Sequence, residues 1–117
     1  MLSENPLFLI PFSSGVIFIF VGFIMLKFPP KKINSIYGYR TVASMKNQEQ
    51  WDFAQIYSSK KMIKTGISLS IIAIIGWIYH PSENTATILG LGILVSAVIL
   101  LILKVENKLK SKFSKEQ

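Results

Sequence analysis

The sequence contains no cysteine. Disulfides, thiolate metal sites and cysteine nucleophiles are excluded with it. Histidine occurs once, at His80. A histidine metal site needs further ligands, and none lies near it in sequence, so His80 reads as an interfacial residue in a turn. Charge is scarce as well: 16 % of the 117 residues are charged and 50 % are apolar. A soluble domain of this size would carry more charge on its surface.

The scarcity is concentrated. Residues 5–26, 65–82 and 84–103 carry no Asp, Glu, Lys or Arg, in runs of 22, 18 and 20 residues. A hydrocarbon core of roughly 30 Å takes about 20 helical residues. All three runs qualify, the second narrowly. Backbone groups find no water inside lipid, so each span has to be helical despite its Ile and Val content. The first run is not expected to be a cleaved signal peptide. It is too long, its flank "MLSEN" has no base, and no small-x-small site follows. Pro11 should kink its first turns or mark a later start. With no acid or base deep in any span, proton relays, ion pathways and voltage sensing lack their usual groups.

The 13 basic residues show the orientation. None precedes the first run, eight lie between the first and second, none between the second and third, and five follow the third. Short loops rich in Lys and Arg stay in the cytoplasm. The expected fold class is therefore an all-α integral membrane protein, multi-pass, in the bacterial cytoplasmic membrane. One membrane domain over residues 1–117 has spans at about residues 7–27, 63–80 and 84–103. The amino terminus faces out and the carboxyl terminus in. A cytoplasmic loop over 28–62 contains an amphipathic helix, and a basic tail covers 104–117. The net charge of +7 then faces an anionic leaflet. Each such residue adds about 1 kcal/mol of attraction. No nucleic-acid partner is needed to explain it.

Small residues say how the spans meet, because lipid gives helices no hydrophobic push towards each other. Gly15 and Gly22 share a face of the first span, and Gly66, Ser70 and Ala73 one of the second. Ala86 with Gly90 and Gly92 with Ser96 make small-xxx-small steps on the third. Packing within a three-helix bundle is the plainer reading; a homo-oligomer face is the alternative. Trp77 and Tyr79 suit an aromatic belt at the outer end of the second span. Pro81 ends that helix, Ser82 or Asn84 can cap the next, and so short a turn makes an antiparallel hairpin. In the tail, Val105, Leu109 and Phe113 recur every four residues among lysines. This predicts a helix that continues the third span or lies on the inner leaflet, against the alternative of a frayed tail.

The connection between the first two spans is too long for a plain linker. "FPP" ends the first helix. "INSIYGYRT" reads as a compact turn, with Asn34 as an Asx residue and Gly38 at positive φ. Helix formers follow from Ser44 or Asn47, either of which can cap, and Trp51, Ala54 and Ser58 share a face; the helix should lie against the membrane or the bundle and run into the second span with little break. Arg40, the single arginine, is a planar cation with five donors. It can hold a phosphate or carboxylate, or tie the loop to backbone carbonyls or Asp52. Trp51 reads as an interface anchor. Catalysis would have only Glu49, Asp52 and hydroxyls on this side, so no enzyme, cofactor or metal site is expected.

These residues carry a resemblance. Pro30, Asn34, Tyr37, Gly38, Arg40 and Thr41, then Ser44, Asn47, Glu49 and Trp51, form P-x-x-x-N-x-x-x-G-x-R-T with tryptophan ten residues later. This resembles the signature of the SdpI family, named for a bacterial immunity protein against a secreted killing peptide, the sporulation-delaying toxin. Val42 and Ala43 stand where the family often has proline. The named protein has further spans before this unit. The resemblance implies a non-enzymatic protein that confers resistance to a membrane-active toxin peptide and signals its presence through a cytoplasmic protein partner. In the named protein, that partner is a transcriptional repressor held at the membrane. It also implies that Asn34, Tyr37, Gly38, Arg40, Thr41, Asn47 and Trp51 form the motif or partner-binding site. A small accessory or scaffold subunit of a transporter or sensor complex is the alternative.

Overall fold

The computed structural model describes residues 5–113. Three helices follow in chain order: α1 (Pro6–Lys27), α2 (Gln48–Ile78) and α3 (Glu83–Phe113). All three are long and apolar enough to cross a membrane. At about 1.5 Å per residue, the 22 residues of α1 match a bilayer core, whereas the 31 of α2 and of α3 exceed it by roughly 16 Å. The surplus lies at one end of the bundle. There, the first turns of α2 and the last turns of α3 meet the long loop.

α1 begins earlier than Pro11. Asn5 caps it, its Oδ1 accepting the Leu7 N–H at 3.1 Å, and Pro6 fills the first turn, where no N–H is missed. Pro11 sits buried inside the helix. It removes the donor that the Leu7 carbonyl would take. That carbonyl packs against Gly76 of α2, where a Cβ would stand 2.6 Å from it.

The α1–α2 contact runs antiparallel, through Leu7 with Gly76, Gly15 with Gly66, and Gly22 with Ser59 and Ile63. The Gly15–Gly66 crossing is the closest approach: a Cβ on Gly66 would lie 2.5 Å from the Gly15 carbonyl oxygen. Only hydrogen fits there, so the expected small-residue packing operates within the bundle. Gly90 of α3 meets Pro6 and Ile10, which seats α3 beside the start of α1. Gly92 meets nothing within 4 Å, so its step with Ser96 closes no contact within the chain.

Residues 48–62 form no separate helix in the loop. They are the first half of α2, unbroken into the span, and Asn47 rather than Ser44 caps it. The face with Trp51, Ala54 and Ser58 is buried, together with Gln55 and Ser59. Of the two expected surfaces, membrane or bundle, this face packs against the bundle. α3 likewise continues past its apolar run to Phe113. Leu101, Val105, Leu109 and Phe113 form one stripe that clusters with Ala54, with Phe18, Phe53, Tyr57 and Met62 around it. The continuing helix is thus the form the tail takes up to residue 113; residues 114–117 lie outside the described ones. At the opposite end, α2 stops at Ile78, two residues before His80, which Pro81 disfavours in a helix, and Ser82 caps α3.

Candidate functional site

The loop between α1 and α2 is folded by its own side chains. Asn34 makes the expected Asx turn. Its Oδ1 accepts the Ile36 and Tyr37 N–H groups at 2.9 and 2.7 Å, and its Nδ2 donates to the Lys32 carbonyl at 2.9 Å. Tyr37 donates its hydroxyl to the Phe28 carbonyl at 2.9 Å, drawing the turn back to the end of α1. Gly38 has φ 113°, and a Cβ there would stand 2.6 Å from Gln55 Oε1 and 2.8 Å from Pro30 Cγ. Both backbone conformation and space require glycine. Thr41 and Ser44 close a second turn reciprocally: the Thr41 N–H donates to Ser44 Oγ at 2.8 Å, and the Ser44 N–H to Thr41 Oγ1 at 3.2 Å. Asn47 Oδ1 accepts the Gln50 N–H at 2.8 Å and starts α2.

Two side chains of α2 hold this loop down. Trp51 is fully buried, and its indole N–H donates to the Pro30 carbonyl at 2.7 Å. It fastens loop to helix instead of sitting at a membrane interface. Gln55, also fully buried, pairs with Tyr39 as one strand pairs with another. Its Oε1 accepts the Tyr39 N–H at 2.7 Å, and its Nε2 donates to the Tyr39 carbonyl at 2.9 Å. Lying four residues apart, Trp51 and Gln55 share a face of α2. Gln48 adds an exposed tie, donating to the Lys31 carbonyl at 2.6 Å and to Asp52 at 2.7 Å.

α3 supplies the third anchor. Glu106 Oε2 accepts hydroxyl hydrogens from Tyr39 at 2.7 Å and Thr41 at 2.8 Å. Burial, then the neighbouring Glu106 carboxylate, pushes the Tyr39 hydroxyl well above its ordinary 10.0, so it stays a donor.

Arg40 stands apart from this interior. It is exposed, and its Nε donates to the Asn34 carbonyl at 3.1 Å. Of the two ties open to it, the structure makes the one to a backbone carbonyl; Asp52 is engaged by Gln48 instead. Among the described residues its terminal guanidinium nitrogens make no hydrogen bond. Ile36 and Val42 flank it in the chain, 89 % and 93 % exposed.

The sequence profile of the SdpI/YfhL protein family matches residues 31–105, which include this loop from Lys31 onward. The chain belongs to the SdpI/YfhL protein family. It is 38 % identical over 96 residues to a Bacillus subtilis (strain 168) protein named "Uncharacterized protein YfhL", covering 82 % of each chain. No solved structure matches it.

On this SdpI/YfhL chain the seven motif residues gather at one end of the bundle, but in two roles. Asn34, Gly38, Thr41, Asn47 and Trp51 spend their polar groups or their shape on building the loop. Arg40, with part of Tyr37, faces outward. Gln55 and Glu106 are the anchors of the candidate site that sequence reasoning missed. For Gln55 the available signal was its place one turn after Trp51 on a face otherwise made of Trp, Ala and Ser. For Glu106 it was the first acid of a lysine-rich tail, directly after Val105 of the apolar stripe. Among the described residues, no group of three His, Cys, Asp or Glu side chains is placed to hold a metal ion.

Proposed function

We propose that this chain is a non-enzymatic resistance protein of the bacterial cytoplasmic membrane. It counters a membrane-active toxin peptide in the manner for which the SdpI family is named. Its hydrogen-bonded loop lies on the cytoplasmic side and receives a protein partner that reports the toxin. Family membership supports the class of activity. The distribution of basic residues supports the orientation.

One observation carries the assignment of the working surface. The loop is hydrogen-bonded from within, yet it presents a guanidinium with free donors and, four residues before it and two after it in the chain, two almost fully exposed aliphatic side chains. A cation with five fork-like donors on a loop with apolar tips suits a protein surface that offers a carboxylate and a shallow apolar patch. The same features would serve an accessory or scaffold subunit, and the two readings part on toxin protection.

The test is expression in cells sensitive to the sporulation-delaying toxin. Wild type is expected to raise the tolerated toxin concentration. Arg40→Ala and the double variant Ile36→Ser/Val42→Ser are expected to lose the response at unchanged membrane abundance. No protection by wild type, beside a protected positive control, refutes the resistance reading. Stable co-purification of a transporter or sensor subunit that Arg40→Ala abolishes would then favour the scaffold.

A further inference from the structure

The α2–α3 contact is not closed along its length as α1–α2 is. A groove of about 690 Å³ opens between them, with Leu69 and Ile72 on one side and Ile88, Gly92 and Leu100 on the other. Its floor is wide at Gly92, where a Cβ would touch nothing within 4 Å. The walls are apolar over most of their length, and the groove lies within the runs that cross the membrane, so it opens onto lipid.

Its two ends differ. The end at Ile72 and Ile88 has no charge. The other end carries Lys61, Lys64 and Lys104. Lys61 lies over the Tyr57 ring at 5.4 Å. Among the described residues, Lys64 and Lys104 make no ion pair. An apolar slot that ends in three cations matches one kind of molecule in a bilayer: an acyl chain bearing a phosphate.

We propose that this groove binds an anionic phospholipid, with an acyl chain along the α2–α3 seam and its phosphate held by Lys61, Lys64 and Lys104. Charge complementarity selects this occupant. A second copy inserted in the same orientation would bring its own three lysines to the same depth, setting six cations together. An uncharged apolar helix would leave all three without a counter-charge at the lipid boundary. The site is independent of the toxin reading; it needs only that the three helices cross the membrane.

The experiment uses the purified full chain in detergent with a mixture of phosphatidylglycerol and phosphatidylcholine of identical acyl chains, and counts retained lipid by native mass spectrometry. One phosphatidylglycerol per chain is expected to be retained in preference to phosphatidylcholine. Each lysine near an anionic group strengthens such binding by roughly fivefold. Lys61→Gln/Lys64→Gln/Lys104→Gln should therefore lower retention about a hundredfold. Lys31→Gln/Lys32→Gln/Lys46→Gln, which removes the same charge from the loop, should leave it unchanged. Gly92→Phe fills the groove without touching a lysine and should also displace the lipid, with helicity checked by circular dichroism. Four results would overturn the proposal: equal retention of the two lipids, an equal loss in the loop-lysine control, undisturbed binding in helical Gly92→Phe, or a Gly92→Cys chain that cross-links to a second copy under saturating phosphatidylglycerol.

Discussion

The two ends of this bundle are closed by different means. At one end, four residues join α2 to α3, and a single side chain draws α1 to them. Asn5 Nδ2 donates to the Gly76 and Tyr79 carbonyls, each at 3.1 Å. At the other, twenty residues separate α1 from α2, and side chains from the loop, α2 and α3 pair with almost every turn of the backbone. A connection that only had to reverse direction could be as short as the first. The second is long, folded and anchored from two helices, and its outward face carries a lone arginine and two exposed aliphatics. Its length is therefore better explained by a surface it has to present than by a distance it has to span.

The comparison can be broken by mutation, and the largest effect is expected at Trp51. Trp51→Ala removes a fully buried side chain and orphans the Pro30 carbonyl; a loss of roughly 3–5 kcal/mol is expected. It should show as rapid tryptic cleavage at Lys31 and Lys32 while the spans stay protected. Gln55→Leu keeps volume but leaves the Tyr39 N–H unpaired, while the Tyr39 carbonyl keeps the Ser44 hydroxyl as its donor; a loss of about 1–3 kcal/mol is expected. Its proteolysis should match that of Trp51→Ala in site and be slower. Equal resistance of wild type and Gln55→Leu would mean that the loop is not held as a strand-like pair.

Glu106→Gln should cost about 1 kcal/mol, because the amide oxygen still accepts but no longer as an anion. It also bears on pH. The Tyr39 hydroxyl is held above its ordinary 10.0, so folding stabilises the protonated form. That contribution is complete below pH 10.0 and is lost as the pH rises beyond it. Ultraviolet titration of the folded chain should therefore show one tyrosine that ionises later than free tyrosine, and the delay should shrink in Glu106→Gln. The smallest effect is expected at the other end. Asn5→Ala removes a helix cap and the clamp on the short turn, about 0.5–2 kcal/mol. Thermal unfolding in detergent should detect it, and loop proteolysis should not change.

Much of the fold was legible because membrane insertion imposes a coarse rule: uncharged runs become helices, and small residues let them touch. Gly15 and Gly66 could be assigned to packing from that rule alone. Within the loop, Asn34, Gly38 and Asn47 were legible too, since Asx turns, positive φ and caps are local chemistry confined to a few residues. Gln55 and Glu106 were not. Their partners lie 16 to 67 residues away in sequence, and no local pattern marks a glutamine or glutamate that will meet a loop backbone. Trp51 was recognised as important, but its environment was not readable: an amphipathic ring suits a lipid interface and a buried loop anchor equally well. The extra turns of α3 were legible, because Val105, Leu109 and Phe113 recur every four residues beneath the lysines that end its apolar run.

The proposed function requires the hydrogen-bonded end to be the cytoplasmic, working end. Since the chain has no cysteine, single cysteines can be introduced at either end and probed in intact cells with a membrane-impermeant maleimide. Ser82→Cys should label at once, and Val42→Cys, on the fully exposed tip of the loop, should label only after the cells are permeabilised. Labelling of Val42→Cys from outside, with Ser82→Cys protected, would contradict the account.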